Sequence, residues 1–469
     1  MKKLTKIVAT ISDRKCDEDF LKQLFDEGVN VVRLNTAHQA PEDTLKIIKN
    51  VRKANNKVPF MLDTKGPEIR THISKSINVK KGEKFKVKGY TEDNIDNDYI
   101  LVTHKGIVDD LEPENKILID DGDIEMLVLE KHNDYLLCEI QNEGTIKNNK
   151  SVNLPGIPIR LPALTKKDRE YIDFAIKHDI EFIAHSFVRS KEDIYEIQEI
   201  LDFHKSNIKI IAKIEDQQGI NNIDEILDNV YGLMVARGDL AIEVPAERIP
   251  VLQRTLVQKC IKNKKPVIIA TQVLHSMMKN PRPTRAEVTD IANAVFTGAD
   301  AIMLSGETAN GKYPVEAVQI MNKTIMQAEA NNPKMREHEV FPHDNKVSVF
   351  LSKMAVNAFL TLNTKAIITD TDTGKTAKYL AAFRGLVPIY AQCYYTRVMR
   401  ELGLVFGVSA DYMEMETSKK EFIRVTLNNL IEIKEIERED LIAVLAGNFG
   451  KKAGPSFVEI STVNNMLSQ

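Results

Sequence analysis

Two acidic residues, Glu215 and Asp239, stand at the ends of apolar, β-branched segments of the sequence. Carboxylate oxygens are hard donors suited to Mg²⁺ or Mn²⁺. If the two segments form adjacent strands, the carboxylates lie near each other, and we interpret them as ligands of one divalent cation. The alternative is that they form salt bridges with Lys213 and Arg237, which require no metal.

Lys213 stands two residues before Glu215, so both side chains point to the same side of a strand. A cation beside a metal ligand is suited to neutralising a phosphoryl group during its transfer. Lone lysines are usually solvated surface charges, but this one follows Ile210, Ile211 and Ala212. The position favours a catalytic role. Further cations that fit a phosphorylated or carboxylated substrate are Arg33, Lys65, Arg70 and Arg237.

The segment from Val235 to Leu240 is predicted to end a strand and open a short helix. Backbone N–H groups at a helix start bind carboxylates and phosphates, and Gly238 lets a ligand approach the main chain closely. Thr271 ends another apolar segment with its hydroxyl free. A threonine there is by default a β-branched strand residue, but its place on the same rim indicates a proton relay.

Eight short apolar segments must position these residues, and they alternate with amphipathic, helix-like stretches. The segments are residues 6–11, 31–35, 59–65, 182–187, 209–216, 232–240, 266–272 and 301–308. Apolar runs fit strands buried on both faces, and strands alternating with helices imply parallel βαβ units. Eight such units predict an α/β fold, a (β/α)8 TIM barrel. Its active site is expected where the polar carboxyl ends of the strands converge.

Two further domains are predicted. Alternating segments punctuated by Gly and Asn-Asp turns indicate an inserted, mostly antiparallel, β-barrel-like lid domain at 67–160. Residues 342–469 are predicted to form a C-terminal α/β regulatory domain with a small open sheet. Its five strand candidates are residues 366–370, 387–392, 404–408, 441–445 and 457–460. The barrel would then comprise residues 1–66 and 161–341.

The composition excludes several classes of protein. The chain of 469 residues has a formal net charge of −3, which offers no general attraction to nucleic acid or to an anionic membrane. The 4 cysteines form no metal-binding or paired-thiol motif, which is typical of a reduced, cytoplasmic protein. No apolar run approaches the roughly 20 residues of a membrane span. We therefore expect a cytoplasmic protein that binds neither nucleic acid nor membrane.

Longer motifs run through the barrel and the insertion. They are residues 5–11 (TKIVATI), 32–35 (VRLN), 63–71 (DTKGPEIRT), 117–123 (ILIDDGD), 152–156 (VNLPG), 161–165 (LPALT), 212–215 (AKIE), 234–240 (MVARGDL), 270–272 (ATQ) and 283–314 (PTRAEVTDIANAVFTGADAIMLSGETANGKYP). In this order they resemble the pyruvate kinase family. The C-terminal part is similar to the family more loosely.

The resemblance implies transfer of the phosphoryl group of phosphoenolpyruvate to ADP, giving pyruvate and ATP in the last step of glycolysis. It also implies Mg²⁺ or Mn²⁺ at Glu215 and Asp239, a lid that excludes water, and a homotetramer. The catalytic residues would be Lys213, Thr271 and Arg33. Substrate would contact Arg33, Lys213, Ala236, Arg237, Gly238, Asp239 and Thr271. Nucleotide would contact Asn35, His38, Arg70 and Lys150, and K⁺ would be bound by Asn35, Asp63 and Thr64.

Two positions bear on the K⁺ site. Ala37 stands where the family usually has a serine whose hydroxyl would be a K⁺ ligand, although water could substitute for it. Glu68 is the residue type found in potassium-dependent members, whereas potassium-independent members tend to have Lys there. Potassium dependence is therefore the expectation.

The loop of residues 371–376 follows a strand candidate in the C-terminal part. It is not a P-loop, because the first glycine of that motif would fall on Thr369. It resembles the family's phosphate-binding effector loop, although Asp372 would repel a phosphate. The alternatives are fructose 1,6-bisphosphate, a sugar monophosphate, AMP, no effector at all, or an ordinary turn with capping threonines. The candidate effector residues are Thr371, Thr373, Gly374, Lys375 and Thr376.

Two other functions compete with this interpretation. A Mg²⁺-dependent aldolase or lyase barrel that holds an enolpyruvate would share the acidic pair. It would not need the nucleotide-facing segment of residues 65–70 or the inserted lid. A catalytically inactive scaffold is the non-enzyme alternative, but it would have lost Lys213, Glu215, Asp239 or Thr271, and all four are present.

Overall fold

The computed structural model describes residues 2–37, 39–91, 99–159, 161–332, 345–414, 418–447 and 454–468. The chain begins with three strands and two helices. They are β1 (Lys6–Thr10), α1 (Glu18–Asp26), β2 (Val31–Asn35), α2 (Pro41–Ala54) and β3 (Phe60–Asp63). Helix α1 starts where the Asp17 side chain accepts a hydrogen bond from the Phe20 N–H, and it buries Phe20, Leu21 and Leu24.

The chain then leaves this unit and forms a β-rich insertion. Its elements are β4 (Ile69–Arg70), β5 (Ile77–Val79), β6 (Lys84–Gly89), β7 (Tyr99–Val102), α3 (Ile107–Asp110), β8 (Lys116–Ile119), β9 (Ile124–Lys131), β10 (Leu136–Ile140), β11 (Gly144–Ile146) and β12 (Ser151–Asn153). A seven-stranded sheet has the order β4-β12-β8-β9-β10-β6-β7, and β5 pairs with β11. Of the described pairs in the insertion, β6 with β7 is parallel and the others are antiparallel.

Gly66 lies where the chain passes from β3 into the insertion. Its φ is +70°, and an added Cβ would lie 2.8 Å from Ser186 Cβ and 2.8 Å from the Phe187 ring. A side chain here would be strained in backbone and in packing. Glycine therefore lets the insertion start directly against the segment that follows the next barrel strand.

The chain returns with five more barrel strands. The strands are β13 (Phe182–His185), β14 (Lys209–Ile214), β15 (Gly232–Ala236), β16 (Val267–Ala270) and β17 (Ala301–Leu304). The helices are α4 (Lys166–Lys177), α5 (Lys191–Phe203), α6 (Gln217–Asn221), α7 (Ile223–Asn229), α8 (Arg237–Glu243), α9 (Ile249–Lys262), α10 (Arg285–Thr297), α11 (Gly306–Ala309) and α12 (Pro314–Ala330). Short 3₁₀ turns span Ala246–Arg248 and His275–Met278.

Eight parallel strands close into a barrel in the order β1-β17-β16-β15-β14-β13-β3-β2. The interior is filled by side chains such as Val8, Met61, Ile211, Met234 and Ile268, so the barrel is a packed core and not a pore. The predicted barrel, with its β-rich insertion and C-terminal α/β domain, is confirmed. The strands are shorter than the predicted segments, because the polar residues at their ends lie in the turns that follow.

The C-terminal part forms a five-stranded sheet in the order β20-β19-β18-β21-β22. Its elements are α13 (Lys346–Leu362), β18 (Ala366–Thr371), α14 (Lys375–Ala382), β19 (Ile389–Cys393), α15 (Thr396–Glu401), β20 (Val408–Tyr412), α16 (Lys419–Glu432), β21 (Leu441–Gly447), β22 (Pro455–Thr462) and α17 (Val463–Ser468). The prediction of a strand at 404–408 is wrong. A 3₁₀ turn spans Leu402–Leu404, and Leu404 is apolar because it packs into the bottom of the barrel core.

Buried contacts join this sheet to the barrel. Arg384 forms an ion pair with Asp300, whose other carboxylate oxygen accepts from the Phe406 N–H at 2.9 Å. All four cysteines are free and buried. Among the described residues, no helix is both long and apolar enough to span a bilayer.

Candidate active site at the carboxyl end of the barrel

Lys213 lies at the centre of a charged cluster where the barrel strands end. Its ammonium is 3.1 Å from Asp63 Oδ1, 3.0 Å from Glu215 Oε1 and 2.6 Å from Ser186 Oγ. Burial alone would lower the pKa of Lys213, but the carboxylates of Asp63 and Glu215 outweigh it and hold the pKa above its ordinary value. The two carboxylates therefore favour the charged form of the lysine, which is suited to binding an anion.

Arg33 adds a second buried cation on β2. Its Nε and Nη2 each lie 2.6 Å from Asp63 Oδ2, and Nη1 donates to Thr10 Oγ1 at 3.0 Å. Burial raises the pKa of Asp63, but Arg33 and Lys213 together hold it below its ordinary value. One aspartate thus orients two cations that come from different strands.

Glu215 follows β14, and Asp239 lies in the first turn of α8 after β15. Burial raises the pKa of Glu215 to about 7, opposed by Lys213 and reinforced by the Asp239 carboxylate. Burial likewise raises the pKa of Asp239 against the effect of Lys213, and Asp121 adds to the increase. A buried and a half-buried carboxylate that interact unfavourably when both are ionised match the donor set of a hard divalent cation.

The salt-bridge alternative for this pair holds only in part. Glu215 does pair with Lys213. Asp239 makes no ion pair with any described residue, because Arg237 pairs with Asp290 instead. Among the described residues, no three or more His, Cys, Asp or Glu side chains are grouped so that they could hold a metal ion. Any divalent cation here would therefore take its remaining ligands from substrate and water.

Thr271 follows β16 and lies directly against the start of α8. Its Oγ1 accepts from the Gly238 N–H at 2.7 Å and donates to the Ala270 carbonyl at 2.7 Å. Thr271 has a φ of +67° and Gln272 a φ of +53°. A β-branched residue in this region is strained by about 1–3 kcal/mol, and such strain persists only where surrounding contacts fix it.

Arg237 supplies those contacts. Its Nη2 donates to the Thr271 carbonyl at 2.9 Å, its Nε donates to the Ala270 carbonyl at 3.3 Å, and its Nη1 pairs with Asp290 at 2.7 Å. The side chain of this predicted substrate residue is thus turned toward the backbone of the strained turn. Arg237 therefore contributes to the site through its backbone at the start of α8, and not through its guanidinium group.

A cavity of about 730 Å³ separates the rim from the inserted sheet. The barrel contributes Glu215 and Asp239 to its wall, and the insertion contributes Arg70 and Lys150. Lys150 Nζ lies 2.8 Å from Asp120 Oδ1. The volume suits a drug-sized or nucleotide-sized ligand. Charges of both signs line each side, since Glu68, Asp120 and Asp121 lie on the insertion side and Arg189 on the barrel side, and Arg70 is paired with Glu68.

The predicted K⁺ ligands lie on neighbouring strands, beside Arg33 and Lys213. Asn35 Oδ1 accepts from the Ala37 N–H at 3.2 Å, and Thr64 Oγ1 accepts from the Ser186 N–H at 3.0 Å. Asp63 is already paired with Arg33 and with Lys213. His38, the remaining nucleotide candidate, lies outside the described residues.

The candidate effector loop lies apart from this rim, on the C-terminal sheet. Thr371 Oγ1 accepts from the Gly374 N–H at 2.9 Å, and Gly374 has a φ of +76° immediately before α14. Thr373 and Lys375 are exposed, whereas Thr376 is partly buried.

Sequence reasoning did not assign the contacts of Thr10, Ser186 and Asp290. Thr10 and Ser186 are hydroxyl residues at strand ends, and this position in the sequence is only a weak indication of a place at the site. Asp290 lies on α10, far along the chain from Arg237, and no pattern in the sequence connects the two.

Comparisons with known proteins match nearly the whole chain to one family. A family model described as pyruvate kinase, barrel domain, matches residues 2–318, and one described as pyruvate kinase, alpha/beta domain, matches residues 350–460. The chain is 45% identical to a pyruvate kinase of Borreliella burgdorferi, over 99% of this chain and 98% of that protein. It is 40% identical to a pyruvate kinase of Bacillus licheniformis, over 99% and 81%. A solved pyruvate kinase from Cryptosporidium parvum superimposes with a TM-score of 0.92 at 35% identity, covering 98% of this chain and 96% of that one.

Proposed function

Because this chain belongs to the pyruvate kinase family, we propose that it transfers the phosphoryl group of phosphoenolpyruvate to ADP at the rim of the barrel. The products are pyruvate and ATP, in the last step of glycolysis. The observation that carries the proposal is the contact of Lys213 with Asp63, Ser186 and Glu215 in one buried cluster. The lyase and inactive-scaffold alternatives find no support in the family comparisons.

Glu215 and Asp239 would hold the divalent cation, Mg²⁺ or Mn²⁺. The fit rests on their chemistry, since Glu215 is buried, Asp239 is half-buried, and burial raises the pKa of both carboxylates. When bound, the cation would supply positive charge that offsets the negative charge of the substrate.

Protein groups bind the two ends of phosphoenolpyruvate. The substrate carboxylate would lie at the start of α8, against the backbone of residues 236–239. Lys213 and Arg33 would face the phosphoryl group and neutralise its charge during transfer. Asp63 and Glu215 raise the pKa of Lys213, which favours its charged form at this position.

Thr271 would take part in protonating the enolate carbon. Its hydroxyl lies 2.7 Å from the Gly238 nitrogen, so it is beside the proposed carboxylate seat. A hydroxyl can pass a proton inward while it accepts another from water or a neighbour. Protonation at carbon converts the enolate to pyruvate and drives the transfer toward ATP.

The nucleotide would lie on the insertion side of the cavity, against Arg70 and Lys150, with Asn35 and His38 as further contacts. The insertion, residues 67–160, would act as a lid that limits water entry during transfer. The barrel would span residues 1–66 and 161–341, and the C-terminal domain residues 342–469.

A monovalent cation would bind at Asn35, Asp63 and Thr64. Members of the family generally depend on Mg²⁺ and K⁺, and we propose K⁺ dependence here although Ala37 offers no hydroxyl. Activity with K⁺ should exceed activity with Na⁺ or Tris at equal ionic strength, and equal rates would exclude the site. A homotetramer, a cytoplasmic location and an effector at residues 371–376 complete the proposal.

The test is coupled detection of pyruvate from phosphoenolpyruvate and ADP in the presence of Mg²⁺. Lys213→Met should reduce turnover severely. Lys209→Met is the matched control, because Lys209 lies at the opposite end of the same strand, 4.0 Å from Glu401. Near-normal turnover of Lys213→Met would contradict the proposed mechanism.

A further inference from the structure

The insertion is joined to the barrel by two crossings of the chain, and one turn of the barrel contacts both of them. The chain leaves the barrel at Gly66, after β3, and it returns between β12 and α4. The turn comprises residues 186–189, between β13 and α5. Its Phe187 ring lies against Gly66, where an added Cβ would be 2.8 Å from the ring. Its last residue, Arg189, contacts the returning crossing.

Arg189 binds the returning crossing with both arms of its guanidinium group. Nη1 donates to the Ile159 carbonyl at 3.0 Å, and Nη2 donates to the Leu161 carbonyl at 2.8 Å. The side chain is only 14% exposed. A planar guanidinium holds several acceptors in fixed directions, which a lysine ammonium on a flexible stem does not. Arg189 therefore fixes both the position and the direction of the chain where it re-enters the barrel.

Asp193, in the first turn of α5, holds Arg189 in its turn. Asp193 Oδ2 accepts from Arg189 Nε at 3.2 Å and from the Arg189 backbone N–H at 2.8 Å, and Oδ1 accepts from Nη2 at 2.8 Å. His185 is fully buried nearby. Burial lowers the pKa of His185 to about 4, against the opposite effect of Asp193, so the imidazole is neutral near pH 7. Arg189 therefore supplies the positive charge that balances Asp193.

The same turn also contacts the charged cluster at the rim. Ser186 Oγ lies 2.6 Å from Lys213 Nζ, and the Phe187 N–H donates to Glu215 Oε2 at 2.6 Å. Phe187 has a φ of +54°, an unusual conformation for a bulky residue that persists where the surroundings fix it. Four consecutive residues thus connect the proposed catalytic lysine, a proposed metal ligand and both crossings of the insertion.

The returning chain has room to bend just before it reaches Arg189. Gly156 has a φ of +74°, and an added Cβ would meet no atom within 4 Å. Glycine accommodates backbone rotation more readily than any other residue. Lys150 immediately precedes β12, so Gly156 lies between Lys150 and the carbonyls that Arg189 holds. Rotation about Gly156 would therefore move Lys150 relative to the anchored end of the crossing.

We propose that Arg189 is a positioning residue for phosphoryl transfer. It anchors the returning crossing on the turn after β13, so that the insertion closes about Gly156 and brings Lys150 to a defined place opposite Lys213 and Glu215. Arg189 touches no reacting atom in this scheme, and it acts through the backbone that it holds. The inference rests on the proposed function, because it specifies how the lid of that function is attached.

Steady-state pyruvate formation by the full chain tests the positioning role. In Arg189→Gln, half-saturation by ADP should rise about tenfold, because Lys150 is no longer held in place. Half-saturation by phosphoenolpyruvate should change little, since its proposed contacts all lie on the barrel. Arg189→Lys keeps a cation beside Asp193 but does not bridge the two carbonyls. It should therefore restore the thermal stability of the wild type without restoring half-saturation by ADP.

Hydrogen–deuterium exchange provides a measurement that needs no turnover. The backbone amides of residues 154–159 should exchange about tenfold faster in Arg189→Gln than in the wild type, because the anchored segment opens more often. They should also exchange faster in Arg189→Lys, and the barrel strands should be unchanged in both variants. Arg169→Gln is the matched control, since Arg169 is exposed, pairs with Glu196 of α5 at 3.1 Å and does not line the cavity.

Half-saturation by ADP that equals the wild-type value in both Arg189 variants would overturn the proposal, and so would an equal rise in Arg169→Gln. Arg189→Lys decides the matter if Arg189→Gln does not fold. If the wild type forms no pyruvate, the proposed function fails, and the exchange measurement alone tests the anchor. Unchanged exchange of residues 154–159 in the Arg189 variants would then overturn it.

Discussion

Lys213 is held by oxygen atoms from three different parts of the barrel, and this explains how a buried cation is tolerated. Asp63 ends β3, Ser186 follows β13 and Glu215 follows β14. A buried charge without such partners would be strongly destabilising. The same arrangement fixes the ammonium in place before substrate arrives, so little reorganisation is needed during phosphoryl transfer.

Thr271→Val tests the role of one hydroxyl. Valine has nearly the same shape and is equally strained at a positive φ, so the variant removes the hydroxyl together with its hydrogen bonds to the Gly238 N–H and the Ala270 carbonyl. Turnover should fall roughly 10²-fold or more, while half-saturation by phosphoenolpyruvate changes little. Thr271→Ser, which keeps the hydroxyl, should retain most activity. Steady-state pyruvate formation gives both quantities, and unchanged turnover in the valine variant would remove Thr271 from the mechanism.

Glu215 predicts a pH dependence of stability in the absence of divalent metal. Its pKa is raised to about 7 in the folded protein, so between about pH 4.5 and 7 the folded state binds more protons than the unfolded state. The free energy of unfolding should therefore decrease as pH rises through this window. Glu215→Gln should flatten that decrease in thermal melts.

Mg²⁺ should stabilise the wild type more at pH 8 than at pH 5, because it needs ionised ligands. Equal stabilisation at the two pH values would contradict the metal assignment.

At the scale of elements, the turn after β16 and the start of α8 form one unit. Arg237 connects them, because it stands in α8, bonds the carbonyls of Ala270 and Thr271, and is anchored by Asp290 on α10. Helix α10 therefore contributes to the substrate site although it supplies no residue that faces the cavity.

Asp290→Asn should loosen this anchor. A small displacement of Thr271 and of the α8 backbone should lower kcat/KM for phosphoenolpyruvate about 3–10-fold, without unfolding the barrel. Asp228→Asn, at an exposed position on α7, controls for loss of a surface carboxylate. If the two variants have the same kcat/KM, Asp290 has no positioning role.

The same elements show what sequence could and could not predict. The β-branched runs and their polar ends predicted the eight barrel strands and placed Lys213 beside Glu215, because both are consequences of local spacing. The strand predicted at 404–408 failed because Leu404 is apolar for a tertiary reason, its burial under the barrel. The orientation of Arg237 was not predictable, because its partner Asp290 is 53 positions away in sequence.

At the scale of the whole molecule, the insertion and the barrel share one cavity. Carboxylates face it from the barrel rim, and Arg70 and Lys150 face it from the insertion. A ligand that binds at the rim and also reaches Arg70 and Lys150 would contact both units at once, and under the proposed function such a ligand would favour closure of the insertion over the barrel.

Lys150→Gln should weaken the binding of ADP. Half-saturation by ADP should rise about tenfold with the loss of one charge-assisted contact, and half-saturation by phosphoenolpyruvate should change less. Lys147→Gln, an exposed lysine nearby that does not line the cavity, should behave as the wild type. Equal effects on both substrates would place Lys150 outside the nucleotide site.

Binding of Mn²⁺, followed by electron paramagnetic resonance, tests most directly whether the rim forms one metal-dependent site. The wild type should bind one Mn²⁺ per chain, more tightly with phosphoenolpyruvate present, and Glu215→Gln and Asp239→Asn should each lose this site while keeping the fold. Mn²⁺ binding that is unchanged in both variants, or indifferent to phosphoenolpyruvate, would contradict the account.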